Sequence, residues 1–205
     1  MIQVFLDFDG TIVDSQSAHH SAYNDALSSF GLSMEAVNNN WFGKSTREVV
    51  QKVVHSQFEN DLDSNVINDI CANKSMLARI NVLNLAPNEN ILEMLRISDF
   101  DIIFTIFSNS SKESIVKYID KHLSFVNWKG ICSGQELHLS KFNDIDFNKM
   151  VGKFKLADSL LFIDDSSTLI DMCKLLNQPS ILYKKDLDLK NEIYTYNNSL
   201  CRQRD

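Results

Sequence analysis

Residues 2–11 read IQVFLDFDGT, a short apolar run that ends in two aspartates followed by a glycine. The run has the length and composition of a buried strand, and the Asp-Gly pair marks a turn. Residues 101–109 and 160–165 repeat this arrangement, with Ser108-Asn109 and Asp164-Asp165 after the apolar run. We therefore predict three strands that each run into polar residues at the carboxyl end.

Helical patterns separate these strands. Apolar residues at helical spacing, or capping signals, occur in seven segments: 15–30, 45–54, 65–80, 88–96, 112–123, 146–154 and 167–176. Two further apolar runs, 130–132 and 180–183, are strand candidates, whereas residues 186–205 have a weak pattern and receive no assignment. Strands that alternate with helices indicate an α/β fold with a mainly parallel sheet.

One long helical block interrupts this alternation. Residues 16–82 contain no convincing strand and lie between the first strand and all the others. We therefore predict a Rossmann-like, three-layer parallel-sheet core, residues 1–15 and 83–205, with an inserted all-helical cap, residues 16–82. Ligands of such sheets bind at the carboxyl ends of the strands, so the cap is expected to stand over that edge.

Composition excludes several classes of protein. The 205 residues include 20 Lys and Arg against 27 Asp and Glu, a formal charge of −7, which argues against nucleic acid or an anionic membrane as the main partner. No stretch approaches the ~20 apolar residues of a membrane helix. The first six residues have no basic region and are stopped by Asp7, so we expect no signal peptide.

The cysteines indicate a reducing compartment. Cys71, Cys132, Cys173 and Cys201 are far apart, with no Cys-x-x-Cys pair. This spacing does not suit a structural zinc site, and scattered cysteines without a signal are typical of reduced thiols. We therefore expect a cytoplasmic protein. The oligomeric state is left open by the sequence.

The predicted strand ends carry a defined chemistry. Four carboxylates at one edge of a sheet repel one another unless a hard divalent cation lies among them, and Mg²⁺ suits such a set because it also accepts phosphate oxygens. One carboxylate can then attack phosphorus, while a second protonates the leaving oxygen and later activates water. Ser108, Asn109 and a lysine would supply donors to the phosphoryl oxygens.

The motifs resemble those of the haloacid dehalogenase superfamily. Residues 7–15, DFDGTIVDS, look like its first motif, Ser108 fits the second and Asp164-Asp165-Ser166 fit the fourth. The third motif is a lysine some two dozen residues before the acidic pair, and Lys141 stands 23 residues before Asp164. The helical insertion is typical of the phosphoglycolate-phosphatase and β-phosphoglucomutase-like branch.

Three departures from the family pattern stand out. Phe142 follows the lysine where proline is usual, and Leu169 stands where a further aspartate often occurs, with Asp171 two residues on. Asn88 replaces the glycine that often follows the proline at the second hinge of the cap. An asparagine at this position predicts a stiffer hinge.

The resemblance implies a role for each site residue. Asp7 would be the nucleophile and a metal ligand, and Asp9 the general acid and base, with its backbone carbonyl on the metal. Ser108 and Lys141 would hold the phosphoryl group. Ser108 is also expected to cap the next helix, either beside this role or as its whole role. The remaining assignments are Asp164 and Asp165 as metal ligands and Gly10, Thr11, Asn109, His19, Lys44 and Arg47 as substrate-binding residues.

The resemblance therefore implies a Mg²⁺-dependent phosphatase that acts on a small phosphorylated metabolite. A sugar-phosphate mutase uses the same core residues and remains an alternative. A dehalogenase is disfavoured, because those relatives lack the second aspartate of the first motif and Asp9 is present. A non-catalytic binding protein on the same scaffold is the alternative of another class, although none of the four motif carboxylates is lost.

Overall fold

The computed structural model describes residues 1–34, 45–57, 63–97 and 101–202. The chain divides into two compact units, with one boundary after Asp14 and the other after Leu85. The larger unit contains both chain ends, and Ser15–Leu85 form the smaller unit. A functional role of the smaller unit as a cap stays a prediction.

The larger unit is built on a parallel sheet. Within the described residues this sheet has five strands in the order β3-β2-β1-β4-β5, and every neighbouring pair is parallel. The strands are β1 Ile2–Leu6, β2 Ile102–Ser108, β3 Trp128–Ser133, β4 Ser159–Asp164 and β5 Ser180–Leu182. All carboxyl ends therefore lie at one edge, and the predicted α/β fold with a Rossmann-like sheet is confirmed.

Nine helices occur in the described part of the chain. Those of the smaller unit are α1 Gln16–Ser28, α2 Thr46–Gln57 and α3 Ser64–Leu83. Those of the larger unit are α4 Glu89–Leu95, α5 Lys112–His122, α6 Gly134–Leu137, α7 Asp144–Phe154, α8 Ser167–Leu175 and α9 Leu189–Arg202. Over these described residues, no helix combines the length and apolarity that crossing a bilayer requires.

Strand β1 occupies the centre of the sheet, and all five of its residues are buried. A parallel strand covered on both faces reads as a nearly continuous apolar run, as this one does. The polar exception, Gln3, is fully satisfied: its amide donates to Thr105 Oγ1 at 2.9 Å and accepts from the Leu156 N–H at 2.7 Å. In the ladder, Leu6 pairs with both Ile106 of β2 and Ile163 of β4.

Aromatic side chains fill the space between the sheet and helix α7. The rings of Phe5 and Phe162 stack with centroids 5.0 Å apart, and Phe107 meets Phe5 edge-on at 5.6 Å. Phe147 of α7 closes the group at 5.1 Å from Phe162. Such large buried rings supply much of the apolar area that stabilises a core, so this cluster stabilises the strands that carry the site.

The smaller unit has an apolar interior of its own. Its core includes Leu27 of α1, Val50 and Val53 of α2 and Ile70 of α3, all fully buried. The sequence Ser45-Thr46-Arg47-Glu48 is typical of a capping box, and the structure has one at the start of α2. The Ser45 N–H donates to Glu48 Oε2 at 2.8 Å, and the Glu48 N–H donates to Ser45 Oγ at 3.3 Å.

Candidate active site

Three strand ends bring the predicted acids and the serine of the second motif to one edge of the sheet. Asp7 follows β1, Ser108 ends β2 and Asp164 ends β4, and β1 lies between the other two strands. Asp7, Asp164 and Asp165 each offer a carboxylate oxygen, and these oxygens lie within 4.8 Å of one another. Residues more than 150 positions apart therefore share one site.

Lys141 lies among these carboxylates. Its Nζ is 2.6 Å from Asp7 Oδ1 and 2.7 Å from Asp164 Oδ2. The three side chains are 5%, 3% and 1% exposed, so this is a dry ion-pair group. The other lysines between Lys141 and Asp164, namely Lys149, Lys153 and Lys155, are exposed.

The loop that carries Lys141 is fastened to the end of β2. The Lys141 N–H donates to Asn109 Oδ1 at 3.1 Å, and the Ser140 N–H donates to Asp146 Oδ2 at 3.2 Å. Asn109 was predicted to bind substrate, but its side-chain oxygen is used to hold this loop. The Asn109 side-chain oxygen therefore supports the loop of the lysine, and binding of substrate by Asn109 stays a prediction.

Asp9 is oriented by a serine that the sequence reasoning did not single out. The Ser110 hydroxyl donates to Asp9 Oδ2, and the Ser110 N–H donates to Ser108 Oγ at 3.1 Å. The expected role of Ser108 as a helix cap is wrong, because Ser111 is the N-cap of α5 and accepts from the Ser114 N–H. Ser108 stays at the strand end, buried beside the acids.

Gly10 and Thr11 hold Asp165. The Asp165 N–H donates to Thr11 Oγ1 at 3.0 Å, and Thr11 is completely buried. Gly10 has a φ of +86°, and a Cβ there would lie 2.1 Å from Asp165 Oδ2. Thr11 thus holds the backbone of Asp165, and Gly10 leaves room for its carboxylate, which any side chain at position 10 would displace. That either residue binds substrate stays a prediction.

The carboxylates of the site are only partly neutralised by the lysine. Burial, and next the charge of Asp164, hold the pKa of Asp7 well above its usual value, although Lys141 opposes this. Partial desolvation and Asp164 raise the pKa of Asp165 to about 6. Burial lowers the pKa of Lys141, but Asp7 and Asp164 outweigh it and raise that pKa above its ordinary value.

This imbalance fits a divalent cation. Asp7, Asp9, Asp164 and Asp165 can contribute four negative charges, whereas Lys141 contributes one positive charge. The donors are hard carboxylate oxygens, and the raised pKa values show that charge on Asp7 and Asp165 is incompletely compensated. Hard oxygen ligands of this kind suit Mg²⁺, so the residues fit the metal that the resemblance implies.

The smaller unit holds the other predicted substrate-binding residues. His19 is half-buried, and its Nδ1 lies 3.1 Å from the Nζ of Lys74, which also sits 4.4 Å above the Tyr23 ring. Arg47 is exposed and donates to Asn68 Oδ1. Lys44 lies outside the described residues.

The sequence reasoning missed Ser110 and Lys74. Ser110 gave no usable signal, because it lies in a polar loop where any serine is expected. Lys74 did give one, since it follows Ile70 and precedes Ala78 at a spacing of four on the buried stripe of α3. A lysine that is 6% exposed on an apolar stripe is held there by specific partners.

A family model described as haloacid dehalogenase-like hydrolase matches residues 4–182. The chain belongs to this family. It is therefore a haloacid dehalogenase-like hydrolase, and the resemblance drawn from the motifs is confirmed. No protein of curated function matches the sequence.

Solved structures share the fold of this haloacid dehalogenase-like hydrolase. A predicted phosphoglycolate phosphatase from Haemophilus somnus is 21% identical with a TM-score of 0.73, over 87% of this chain and 83% of the other. CbbY from Rhodobacter sphaeroides, in complex with phosphate, is 13% identical with a TM-score of 0.67, over 87% and 84%. A mutant of CbbY in complex with xylulose-(1,5)bisphosphate is 12% identical with a TM-score of 0.67, over 91% and 89%.

Proposed function

We propose that this protein is a Mg²⁺-dependent phosphatase that hydrolyses a small phosphomonoester through an aspartyl-phosphate on Asp7. The observation that supports this most is the contact of Lys141 Nζ with both Asp7 and Asp164, at 2.6 and 2.7 Å. An ammonium in this position attracts an anionic phosphoryl group toward a carboxylate that otherwise repels it.

In the first step, an oxygen of Asp7 attacks phosphorus and forms a new O–P bond. The ester P–O bond breaks, and its electron pair goes to the leaving oxygen, which takes a proton from Asp9. The hydrogen bond from Ser110 to Asp9 Oδ2 orients this carboxyl group and leaves Oδ1 to carry the proton. Ser108 and Lys141 hold the phosphoryl oxygens.

In the second step, water attacks phosphorus and the Asp7 O–P bond breaks. Asp9, now ionised, accepts the proton of the attacking water, so the starting protonation state returns. Asp7, Asp164, Asp165 and the backbone carbonyl of Asp9 would hold Mg²⁺, which would neutralise charge on the phosphoryl oxygens when bound.

The substrate class follows from the same site. A phosphate monoester suits the Asp7 carboxylate beside the Lys141 ammonium, and the structural relatives include a protein in complex with phosphate and one in complex with a sugar bisphosphate. We therefore propose a small phosphorylated metabolite as substrate. We also propose a cytoplasmic location, which is supported by the free thiols of Cys71, Cys132 and Cys173.

The decisive experiment substitutes Asp9 by asparagine and varies the leaving group. Asp9→Asn leaves Asp7 able to attack but removes the proton donor, and general acid–base catalysis is typically worth ~10²–10⁴-fold. An alkyl phosphate, which leaves as a basic alkoxide, should lose most. p-Nitrophenyl phosphate should still phosphorylate Asp7 and then stall, because no base activates water.

A rapid-quench measurement with Mg²⁺ should show a burst of nitrophenol close to one equivalent per site, followed by slow turnover. Asp171→Asn is the matched control, since Asp171 is exposed and pairs only with Lys174 among the contacts described, at 3.0 Å. Equal losses for both substrates and no burst would contradict the proposed role of Asp9. Conversion of β-glucose 1-phosphate with a bisphosphate activator would identify a mutase instead.

A further inference from the structure

Asn88 stands at the N-cap position of helix α4 but does not cap it. Its side chain makes no hydrogen bond to the helix, although asparagine at an N-cap normally accepts one. Instead, Asn88 Nδ2 donates to the Thr11 carbonyl at 2.7 Å, and the Asn88 N–H donates to the Ile12 carbonyl at 2.9 Å. Both bonds reach the loop of the first motif, 77 residues earlier.

The Thr11 and Ile12 carbonyls of this loop need the two donors that Asn88 supplies. Residues 8–13 close on themselves, with Gly10 N–H donating to the Val13 carbonyl at 2.8 Å and Val13 N–H to the Phe8 carbonyl at 3.1 Å. Thr11 and Ile12 are completely buried. A buried carbonyl without a donor is destabilising, so the two bonds from Asn88 fix where this part of the loop lies.

The position of the loop sets the position of two acids of the site. Asp9 is part of the loop itself. Asp165 touches the loop twice, through its N–H on Thr11 Oγ1 at 3.0 Å and through its carboxylate packed against Gly10. A shift of Thr11 therefore moves the group that Asp165 is bonded to, and it moves Asp9 along the chain.

We propose that Asn88 is a positioning residue for the proposed phosphatase reaction. It holds the loop of residues 9–13 so that Asp9 reaches the leaving oxygen and Asp165 keeps its place beside Asp7. The inference rests on the proposed function for its catalytic part, whereas the holding of the loop is a property of the unliganded protein.

Helix α4 offers an internal comparison. Asn90 Nδ2 also donates to backbone carbonyls, but to those of Lys185 and Leu187, at 3.2 and 3.3 Å. Neither of these residues belongs to the motifs. Loss of the Asn90 donors thus loosens the helix without releasing the first-motif loop.

Asn88→Asp separates the two roles that position 88 can have, which are to cap helix α4 and to hold the loop of the first motif. The substitution keeps the shape and removes the donor to the Thr11 carbonyl, and aspartate can still cap α4, which offsets part of the stability lost with that bond. Asn90→Asp removes the comparable donors on the same helix. Asn148→Asp, which loses a 2.9 Å bond from Nδ2 to the Asp144 carbonyl at an exposed position of α7, is the control for amide loss in general.

Hydrogen exchange of the metal-free, full-length protein is the first measurement. In Asn88→Asp, the amides of Gly10, Val13 and Asp165 should exchange faster than in the wild type, whereas those of Phe162 and Ile163 in β4 should not change. Asn148→Asp and Asn90→Asp should leave the three loop amides protected. Unchanged exchange at these amides in Asn88→Asp would overturn the proposal.

Steady-state kinetics with Mg²⁺ is the second measurement. Misplacement of Asp9 should lower kcat for an alkyl phosphate by roughly 10- to 100-fold, with a smaller effect on p-nitrophenyl phosphate and little change in KM. A loss that is equal for both substrates and tracks the melting temperature would show a merely structural role and would overturn the positioning role. If the wild type hydrolyses no phosphomonoester, the proposed function fails, and the exchange data still decide whether Asn88 holds the loop.

Discussion

Removing Lys141 and removing its partner Asp7 should have opposite effects on the stability of the metal-free protein. Both changes break the same 2.6 Å ion pair. The surroundings favour the charged form of Lys141, whose pKa is raised by two carboxylates, but disfavour the charged form of Asp7, whose pKa is also raised. Lys141→Met should therefore destabilise the fold, whereas Asp7→Asn should leave it unchanged or stabilise it.

The size of the first effect follows from the burial of the group. Breaking a buried ion pair by removing one partner typically costs about 3–5 kcal/mol, because the remaining charge is left uncompensated. Lys141→Met leaves two buried carboxylates, on Asp7 and Asp164. For a chain of this length, a loss of 1 kcal/mol lowers the melting temperature by about 2–4 °C, so the expected drop is roughly 6–20 °C.

The effect of Asp7→Asn should depend on pH with a defined sign. The folded-state pKa of Asp7 lies above its unfolded value, so the neutral form stabilises the fold below the unfolded pKa, and this contribution is lost as pH rises through the folded pKa. Asparagine is neutral at every pH. The advantage of Asp7→Asn over the wild type should thus be present at pH 7 to 8 and vanish toward about pH 4.

Thermal melts in a chelating buffer test both effects. Lys149→Met is the matched control, because the Lys149 side chain is 62% exposed and lies 3.9 Å from Asp146. It should cost less than about 1 kcal/mol, as exposed pairs do. The reasoning is refuted if Lys141→Met melts within a degree or two of Lys149→Met, or if Asp7→Asn loses as much stability as Lys141→Met.

Three further predictions follow from the site and from the smaller unit. Asp7→Asn should lower the turnover of p-nitrophenyl phosphate by several orders of magnitude, since hydrolysis of phosphate monoesters needs exceptionally large acceleration. Activity close to that of the Asp171→Asn control would show that Asp7 is not the nucleophile. Chelation should abolish activity, Mg²⁺ should restore it and Ca²⁺ should not, because Ca²⁺ takes longer and looser coordination; full activity after exhaustive dialysis against a chelator would exclude the metal from the reaction. The Lys74 ammonium can only donate to His19 Nδ1, so ¹⁵N NMR of the neutral ring should show the proton on Nε2, and Lys74→Met should raise the share of the tautomer protonated on Nδ1. A neutral ring with its proton on Nδ1 in the wild type would contradict this contact.

The sheet was predictable from sequence because its signals are local. Residues 2–6 predicted strand β1, and Asp101–Phe107 predicted β2, which runs Ile102–Ser108 in the structure. Strand β3 is longer than the predicted 130–132, because its pairing with β2 continues past a register shift to Trp128 at one end and reaches Ser133 at the other. Apolar runs in the sequence predict where a strand has its centre. Where the strand ends depends on how far the neighbouring strand extends beside it.

Helix α9 was not predicted, and the reason is physical. Its residues include three asparagines, a threonine and a serine, all of which are weak helix formers. Tertiary contacts decide the matter: Leu189 and Ile193 are buried, and Tyr196 donates to the Leu160 carbonyl at 2.8 Å. A single sequence does not show which surface will receive those residues, so local propensity gave no assignment.

In the candidate site, too, some features were predictable from the sequence and others depend on contacts between distant segments. Motif spacing placed Asp7, Ser108, Lys141 and Asp164 because strand ends of a parallel sheet must converge. The supporting contacts of Ser110, Asn109 and Asn88 join loops that are distant in sequence and that carry ordinary turn residues. Such contacts have no periodicity or spacing, so they become visible only when the loops are placed.

The central position of β1 explains why Asp7, in the first motif, is the carboxylate whose charged form is disfavoured most strongly. Only the strand between β2 and β4 can place one residue beside both Ser108 and Asp164, and that strand is the most deeply buried of the sheet. Asp7 is therefore desolvated because of the position that its chemistry requires, and Lys141 alone does not compensate it. A fold selected for stability alone would place an apolar residue there. The carboxylate is best explained by what it binds, so the electrostatic imbalance itself supports a cationic ligand and an anionic substrate.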